Sequence, residues 1–372
     1  MRVVLFYHSL VSDWNHGNAH FLRGVAAELL ARGHDVRIFE PEDGWSRANL
    51  LAEHGEAPLS DFRAAFPNLA STPYAFWSLD LDEALDGANL VVVHEWNAPA
   101  LVGRLGQHRA RSSGYKLLFH DTHHRAVTNE RALAAYDLSH YDGVLAYGAA
   151  LRDLYVARGW APRAWTWHEA ADTRVFRPLQ DPRTDGDLVW IGNWGDDERA
   201  AEIHEFLIQP VRGANLRAAV YGVRYPPQAL AGLAGARIAY RGWLPNYRVP
   251  EVFARFRATI HIPRRPYTEA LPGIPTIRVF EALACGIPLV SAPWDDAERL
   301  FTPGDFLIAR DGAEMKRLLK HLLSDERMAH EMAARGRRTV LARHTCAHRV
   351  DELFQILEEL NGSRAAATGV PA

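Results

Sequence analysis

The sequence predicts an α/β fold of two domains, each with a parallel sheet layered between helices. Three observations predict this class. The 372 residues exceed the length of one ordinary doubly wound unit. Short runs rich in β-branched residues alternate with alanine-rich helical stretches along the whole chain, which is typical of βαβ units. A polar, proline-bearing segment at 177–186 interrupts this alternation once, as a linker does.

Each half of the chain supplies six predicted strands. In the first half they lie near 3–7, 35–39, 90–93, 116–119, 143–146 and 163–167, and in the second near 188–191, 218–221, 237–240, 259–262, 288–291 and 305–309. We therefore expect an N-terminal domain over 1–178 and a C-terminal domain over 179–345. A helix is predicted over 346–362, and whether it crosses back to the N-terminal domain is left open. Residues 363–372 are predicted to be a frayed tail.

Composition excludes several classes of function. Apolar residues make up 48% and charged residues 23%, as in soluble globular proteins, so bulk disorder and fibrous folds are excluded. The net charge of −3 provides no positive field for nucleic acid, which we do not expect as a partner. No apolar run reaches the ~20 residues that a membrane span requires. Two cysteines are too few for a disulfide framework, so the sequence favours a cytoplasmic protein. It does not indicate an oligomeric state.

Polar residues follow the predicted strands of the first half. Because ligands bind at the carboxyl ends of strands in open α/β sheets, these positions predict a site. The candidates for catalysis are His120, Asp121 and His16, since histidine titrates near neutral pH and a carboxylate can orient it. The candidates for binding an acceptor are Gly17, His94, Glu95 and His124. Polar loops alone are the alternative. The histidine spacing matches no metal motif, so no metal is expected.

The second half carries an anion-binding pattern around 259–290. A predicted strand leads to Arg264 and Arg265, then to a Gly-Ile-Pro turn and a helix in which Pro275 is expected at the first position. The free N–H groups of a helix start, with Arg278 one turn in, suit a pyrophosphate. The alternative is an exposed helix with ordinary surface charges. The turn after the first strand lacks a GxGxxG fingerprint, so an NAD site is only a minor alternative.

Several segments in order resemble a known family. The stretch RVFEALACGIPLV at 278–290 resembles the donor-binding motif of the GT-B glycosyltransferases, which have two Rossmann-like αβα domains with an interdomain cleft. The segments ARGHDV at 31–36, ADTRVFRP at 171–178 and WIGNW at 190–194 resemble other parts of that fold, and together the resemblance covers about residues 1–360. The glycosyl transferase group 1 and spore-maturation-protein-like branches are the most similar.

The resemblance implies a donor site in the C-terminal domain. Its residues would be Asn193, Arg199, Trp243, Arg264, Gly273, Thr276, Arg278 and Glu281. In retaining members two glutamates are separated by seven residues, the first contacting the donor sugar and the second the ribose. Glu281 matches the second, but the first falls on Gly273, so the stereochemical outcome and the sugar are open.

The sequence thus predicts a glycosyltransferase that uses a nucleoside-diphosphate sugar as co-substrate, most often UDP- or GDP-linked, with no other cofactor. The acceptor, whether glycan, lipid-linked or small molecule, is not indicated. Two alternatives keep the fold: a nucleotide-sugar epimerase, which needs no acceptor, and a degenerate carbohydrate-binding or partner-binding module.

Overall fold

The structure is a computed structural model that describes residues 1–180 and 184–368, with side chains described up to Gly362. Contacts divide the chain into two compact units. Unit 1 comprises Met1–Ser12, Leu22–His168 and the C-terminal segment from Cys346. Unit 2 comprises Asp13–Phe21 and Glu169–Thr345. The change from unit 1 to unit 2 at residue 169 thus comes ten residues before the boundary expected from sequence.

Unit 1 contains a seven-stranded sheet. Its strands are β1 (Arg2–Phe6), β2 (Asp35–Pro41), β3 (Thr72–Tyr74), β4 (Leu90–His94), β5 (Lys116–Asp121), β6 (Gly143–Ala146) and β7 (Ala164–Thr166). The strands pair in parallel, in the order β3-β2-β1-β4-β5-β6-β7. The sequence of β4, Leu-Val-Val-Val-His, is buried throughout, as expected for a central parallel strand covered on both faces.

The first eight helices connect the strands of unit 1. They are α1 (Ala19–Ala31), which begins in the unit 2 segment, α2 (Trp45–His54), α3 (Ala57–Ala65), α4 (Leu81–Ala84), α5 (Pro99–Arg111), α6 (Arg125–Thr128), α7 (Glu130–Leu133) and α8 (Ala149–Ala157). The long helices cover the sheet with their apolar faces. The carboxyl ends of the strands carry the polar side chains.

Unit 2 contains a six-stranded parallel sheet. Its strands are β8 (Gly186–Ile191), β9 (Ala218–Tyr221), β10 (Ile238–Tyr240), β11 (Phe256–His261), β12 (Leu289–Ser291) and β13 (Leu307–Ile308), in the order β10-β9-β8-β11-β12-β13. Its helices are α9 (Ala200–Ile203), α10 (Gln209–Ala214), α11 (Pro227–Gly235), α12 (Val249–Phe253), α13 (Arg265–Glu269), α14 (Ile277–Cys285), α15 (Gly312–Ser324) and α16 (Glu326–Arg343).

The last helix, α17 (Cys346–Thr368), belongs to unit 1. Asp351 forms an ion pair with Arg32 at 2.6 Å, and the carbonyl of Arg349 accepts a hydrogen bond from the indole of Trp167 at 2.8 Å. The Leu360 carbonyl accepts from Lys116 Nζ at 3.1 Å. The helix is thus fixed to the sheet and α1 of unit 1 along much of its length.

The α/β class with two parallel sheets, predicted from sequence, is confirmed. Three details were wrong. Strand β3 was missed because it has three residues and contains Pro73, which suits only a sheet edge. Helix α17 continues to Thr368, beyond the predicted end at 362, because alanines follow and favour helix; the rest of the predicted tail, 369–372, lies outside the described residues. Pro275 lies outside α14, since Thr276 is the N-cap residue.

Candidate functional site

The sheet of unit 2 reverses its strand order between β8 and β11. Strand β8 is followed along the chain by β9 on one side, whereas β11 lies on its other side. A crevice for ligands forms at such a point, outside the carboxyl ends of the strands. Asn193 and Arg199 follow β8, and Arg264 follows β11, so this edge collects residues that the sequence predicted to bind the donor.

Three arginines converge near this edge. The charges of Arg264 and Arg278 act on Arg199, and burial together with these charges lowers the pKa of Arg199 to about 9. Arg264 forms an ion pair with Glu198 at 2.6 Å, and Arg278 forms one with Glu281. Like charges that converge raise the energy of the free protein and favour a bound anion.

Arg199 differs from the other two arginines in its partners. It is buried, and its guanidinium donates to the carbonyls of Ile262 and Asn193. Within residues 1–180 and 184–368 its Nε has no hydrogen-bond partner. It also lies over the Trp190 ring, 5.2 Å from the ring centre. The hydrogen bonds of Arg199 therefore go to neutral carbonyl groups, and the carboxylate of Glu198 is the negative charge that acts on it.

The N-terminus of α14 adds backbone donors to unit 2. Thr276 is the N-cap residue, and its side chain makes no capping hydrogen bond. Gly273 precedes it with a φ of +86°, and its N–H donates to the Asp295 carbonyl at 3.0 Å. A Cβ at this position would lie 2.8 Å from Glu298 Cγ. The positive φ and the contact with Glu298 therefore make any side chain at position 273 strained, and a glutamate would fit this backbone poorly.

Glu281 is fully buried on α14, and both of its oxygens have partners. Oε2 accepts from Arg278, and Oε1 is 2.9 Å from Nδ1 of His20. Nε2 of His20 accepts from the backbone N–H of Asp172 at 2.7 Å, and the Phe176 ring stacks on the imidazole at 3.7 Å. The sequence predicted Glu281 and Arg278 but not His20, which is 261 positions away from Glu281.

A segment from the N-terminal region, Asp13–Phe21, completes unit 2. The Asp13 carboxylate accepts from the Trp243 indole at 3.0 Å and from the Asn246 N–H at 2.9 Å. The Gly17 carbonyl accepts from the Asn246 side chain at 2.9 Å. Trp243, which the resemblance implied in the donor site, thus has its indole N–H bound to Asp13.

The same segment contains His16 and contacts Asn193. Asn193 donates through Nδ2 to the Asn15 side chain at 2.6 Å and accepts from the Val223 N–H at 2.9 Å. His16 is buried on this segment and donates its N–H to the Asp13 carbonyl. His16 and Gly17 were predicted on the acceptor-binding domain, but their contacts place them in unit 2, because Asp13 and Asn246 hold the loop there.

Buried histidines meet at the carboxyl edge of unit 1. The ring of His94 lies 5.2 Å from that of His8 and 5.4 Å from that of His120, and His120 packs against Trp167 at 4.8 Å. Burial lowers the pKa of His8 and of His120 to about 3. These rings are therefore neutral near pH 7, and His120 is a weaker base than the sequence suggested.

Two carboxyl groups lie beside the histidines. Glu95 pairs with Arg125 and is fully buried, and its other oxygen, Oε1, has no hydrogen-bond partner in the part of the chain that the structure describes. Burial, with the nearby charge of Asp121, raises the pKa of Glu95 well above its usual range. Asp121, whose pKa burial also raises, accepts from Tyr155 at 2.7 Å and from the His123 N–H at 2.9 Å.

The structure thus brings some predicted residues together and separates others. Asn193, Arg199, Arg264, Gly273, Thr276, Arg278 and Glu281 lie in unit 2, with Trp243 on Asp13; His94, Glu95, His120, Asp121 and His124 lie in unit 1. His124 bonds Thr128 at 2.9 Å. Sequence reasoning missed His20, Asp13, Arg125 and Tyr155. The one sequence signal for His20 is its position in the first turn of α1, shortly after Gly17.

Comparisons with known proteins give one family match and several similar folds. Residues 199–355 match the family model described as Glycosyl transferase-like. No curated protein is a significant match to the sequence. Three solved structures are similar. A sucrose-phosphate synthase from Thermosynechococcus elongatus is 15% identical over 97% of this chain and 99% of that one, with a TM-score of 0.65. An alpha-glucosyltransferase in complex with UDP and DNA is 12% identical over 96% of this chain and 99% of that one, with a TM-score of 0.68, and the T4 phage BGT with its UDP-glucose substrate is 14% identical over 97% and 99%, with a TM-score of 0.59.

Residues 199–355 are thus similar to the Glycosyl transferase-like family, and the structural similarity shows that the chain has the GT-B fold. The matched range contains the three converging arginines and the start of α14. No helix within residues 1–180 and 184–368 combines the length and hydropathy that a membrane span requires.

Proposed function

We propose that this GT-B protein, with its glycosyl transferase-like domain, transfers a sugar from a nucleoside-diphosphate sugar bound by unit 2 to an acceptor bound by unit 1. The observation that carries this proposal is the convergence of Arg199, Arg264 and Arg278 at the strand-order reversal of unit 2. A diphosphate would relieve their repulsion and accept from them. UDP is the first candidate nucleotide, because two similar structures are described with UDP or UDP-glucose.

The leaving diphosphate is stabilised without a metal in this proposal. Negative charge develops on the diphosphate as the glycosidic bond breaks, and preorganised donors at that point lower the barrier. Arg199 supplies an Nε without a partner among the described residues, and the first turn of α14 supplies backbone N–H groups. Each arginine is already held by protein groups, so little reorganisation is needed.

Unit 1 supplies the acceptor side. Its buried imidazole and carboxyl groups are suited to hydrogen bonds with the hydroxyl groups of an acceptor. They are unsuited to an anionic acceptor, because Glu95 and Asp121 are acidic. If the reaction inverts, the acceptor hydroxyl must lose a proton. Glu95 is our candidate proton acceptor, because burial raises the pKa of this carboxyl group whereas burial lowers that of His120.

The test is a thermal-shift and calorimetric screen of the protein against UDP, GDP, dTDP, ADP and CMP. One nucleotide class should stabilise the fold, by about 2.7 kcal/mol at 100 times its dissociation constant. Sugar consumption is then followed with and without added acceptors. Turnover that depends on an acceptor supports transfer, and turnover without any acceptor supports an epimerase instead. Absence of binding to every nucleotide contradicts the proposal and favours a degenerate binding module.

A further inference from the structure

His261 is a buried histidine at the carboxyl end of β11 that has no role in the site described so far. Its Nδ1 lies 2.9 Å from the hydroxyl oxygen of Ser291, and that hydroxyl donates its proton to the Ala292 carbonyl at 2.7 Å. The proton between the two side chains must therefore be on Nδ1. Burial, together with the charge of Arg199, lowers the pKa of His261 to about 3, so the ring is neutral near pH 7. Nε2 thus carries a lone pair and is a hydrogen-bond acceptor.

This acceptor has no donor among residues 1–180 and 184–368. Because His261 is only 2% exposed, bulk solvent does not supply the donor. A buried acceptor without a donor costs about 1–3 kcal/mol, and such atoms are rare in native structures. A bound molecule that presents an O–H or N–H group to Nε2 would remove this cost. His261 therefore marks a position where a ligand donates a hydrogen bond.

His261 lies on the face of the unit 2 sheet that α14 covers. Ile260 and Ile262 belong to the apolar cluster on the opposite face, and side chains alternate along a strand. Helix α14 packs on β11 and β12. The ring of Trp294 lies 6.5 Å from that of His261, and its indole N–H donates at 3.0 Å to the carbonyl of Ile274, in the turn before α14. These contacts place His261 beside the start of α14.

The other groups at this position are donors that suit an anion. Arg199 donates at 3.1 Å to the carbonyl of Ile262, the residue after His261, and its Nε has no partner among the described residues. The first turn of α14 supplies free backbone N–H groups. A phosphate oxygen suits these donors, but the lone pair of Nε2 repels it. A nucleoside-diphosphate sugar carries both kinds of group, because hydroxyl groups of the sugar lie next to the diphosphate.

We propose that His261 is a specificity-determining residue whose Nε2 accepts a hydrogen bond from a hydroxyl group of the donor sugar. Ser291 is its positioning residue, since the bond to Nδ1 fixes the tautomer that leaves Nε2 as the acceptor. This inference rests on the proposed function, and it adds a contact that recognises the sugar rather than the nucleotide. Its test therefore separates the binding of the sugar from that of the nucleotide.

The experiment compares two substitutions of His261 by calorimetry with UDP and with UDP-glucose. The amide nitrogen of asparagine occupies nearly the position of Nδ1, so His261→Asn keeps the bond to Ser291 but has no atom at the position of Nε2. The amide oxygen of glutamine reaches that position, so His261→Gln retains an acceptor. We expect both variants to bind UDP within twofold of the wild type, and His261→Asn to bind UDP-glucose about tenfold more weakly than His261→Gln. His321→Asn, at an exposed histidine of α15, is the control for both ligands.

A second comparison identifies the hydroxyl group. Four analogues of UDP-glucose, with fluorine in place of the hydroxyl at C2, C3, C4 or C6 of the glucose, keep its size but lose one donor each. One analogue should bind the wild type about tenfold more weakly than UDP-glucose does, and this difference should disappear in His261→Asn. Equal affinities of the wild type and His261→Asn for UDP-glucose would overturn the inference, because water alone would then satisfy Nε2. If the wild type binds no nucleotide of the screen, the proposed function itself fails.

Discussion

The two carboxyl edges of this protein have the same topology and opposite chemistry. In each sheet the strand order reverses beside the first strand of the unit, at β1 and β4 in unit 1 and at β8 and β11 in unit 2. Unit 1 fills that edge with neutral imidazoles and buried carboxyl groups. Unit 2 fills it with guanidinium groups and a helix N-terminus. The fold thus supplies the location, and the side chains select the charge of the ligand.

The largest expected effect concerns Arg199, a buried cation that forms no ion pair with the residues that the structure describes. Arg199→Gln removes the guanidinium that Ile262 and Asn193 hold with neutral carbonyls. We expect the affinity for UDP to fall about 100-fold, measured by calorimetry, since a preorganised charged donor is lost. Arg217→Gln, at an exposed arginine before β9, is the matched control and should bind normally. Normal binding by both variants would remove the anion site from unit 2.

A substitution at the edge of unit 1 should have the opposite effect: it should lower turnover and leave the affinity for UDP unchanged. Glu95→Gln removes the carboxylate beside Arg125 and Asp121 without changing the size of the side chain. We expect turnover to fall about 100-fold for an inverting reaction, while the dissociation constant of UDP stays within twofold. Glu83→Gln, at an exposed residue of α4, serves as the control. A loss of UDP affinity in Glu95→Gln would show that the two edges are not divided as described.

A smaller effect tests the backbone that unit 2 needs near its anion site. Gly273→Ala places a Cβ at a φ of +86° and 2.8 Å from Glu298 Cγ. We expect a loss of about 1–3 kcal/mol in the free energy of unfolding, measured with urea. Gly17→Ala is the control, because its Cβ would meet only Ile277 Cγ2 at an ordinary 3.5 Å. Equal stability of the two variants would contradict the steric explanation for the missing glutamate.

The smallest expected effect is a pH dependence of the free energy of unfolding, to which one buried histidine at each edge contributes. Burial lowers the pKa of His120 in unit 1 and of His261 in unit 2 to about 3, against about 6.5 in an unfolded chain. Between these values unfolding takes up one proton per histidine. Stability is therefore complete above pH 6.5 and falls as the pH drops toward 3, by about 1.4 kcal/mol per pH unit for each histidine.

Replacement of one such histidine should make this pH dependence shallower. Unfolding of His120→Gln and of His261→Gln is measured with urea between pH 5 and 6, and each slope should decrease by most of one proton relative to the wild type. Because Glu95 and Asp121 have raised pKa values, their contribution has the opposite sign: stability falls as the pH rises above their unfolded values. An unchanged slope in both variants would mean that these rings are protonated in the folded protein.

The sequence predicted the strands well because most are short, buried, β-branched runs. It failed at β3, whose three residues are mostly exposed and include a proline. It singled out Arg199, Arg264 and Arg278 as candidates because each follows a predicted strand or begins a predicted helix. It could not locate His20 or Asp13, because their partners at Glu281 and Asn246 come together only through the tertiary fold. Nor could it explain Gly273, whose φ and contact with Glu298 are properties of the folded chain.

Each unit takes a segment from a distant part of the sequence, which has a consequence for how the protein is made. Unit 2 needs Asp13–Phe21, and unit 1 needs the helix from Cys346. A fragment of residues 169–345 would lack His20 for Glu281 and the Asp13 carboxylate for Asn246. During synthesis, the sheet of unit 1 leaves the ribosome long before its last helix does. Unit 1 therefore cannot reach its final packing before the helix from Cys346 has been synthesised, and unit 2 needs a chain that retains Asp13–Phe21.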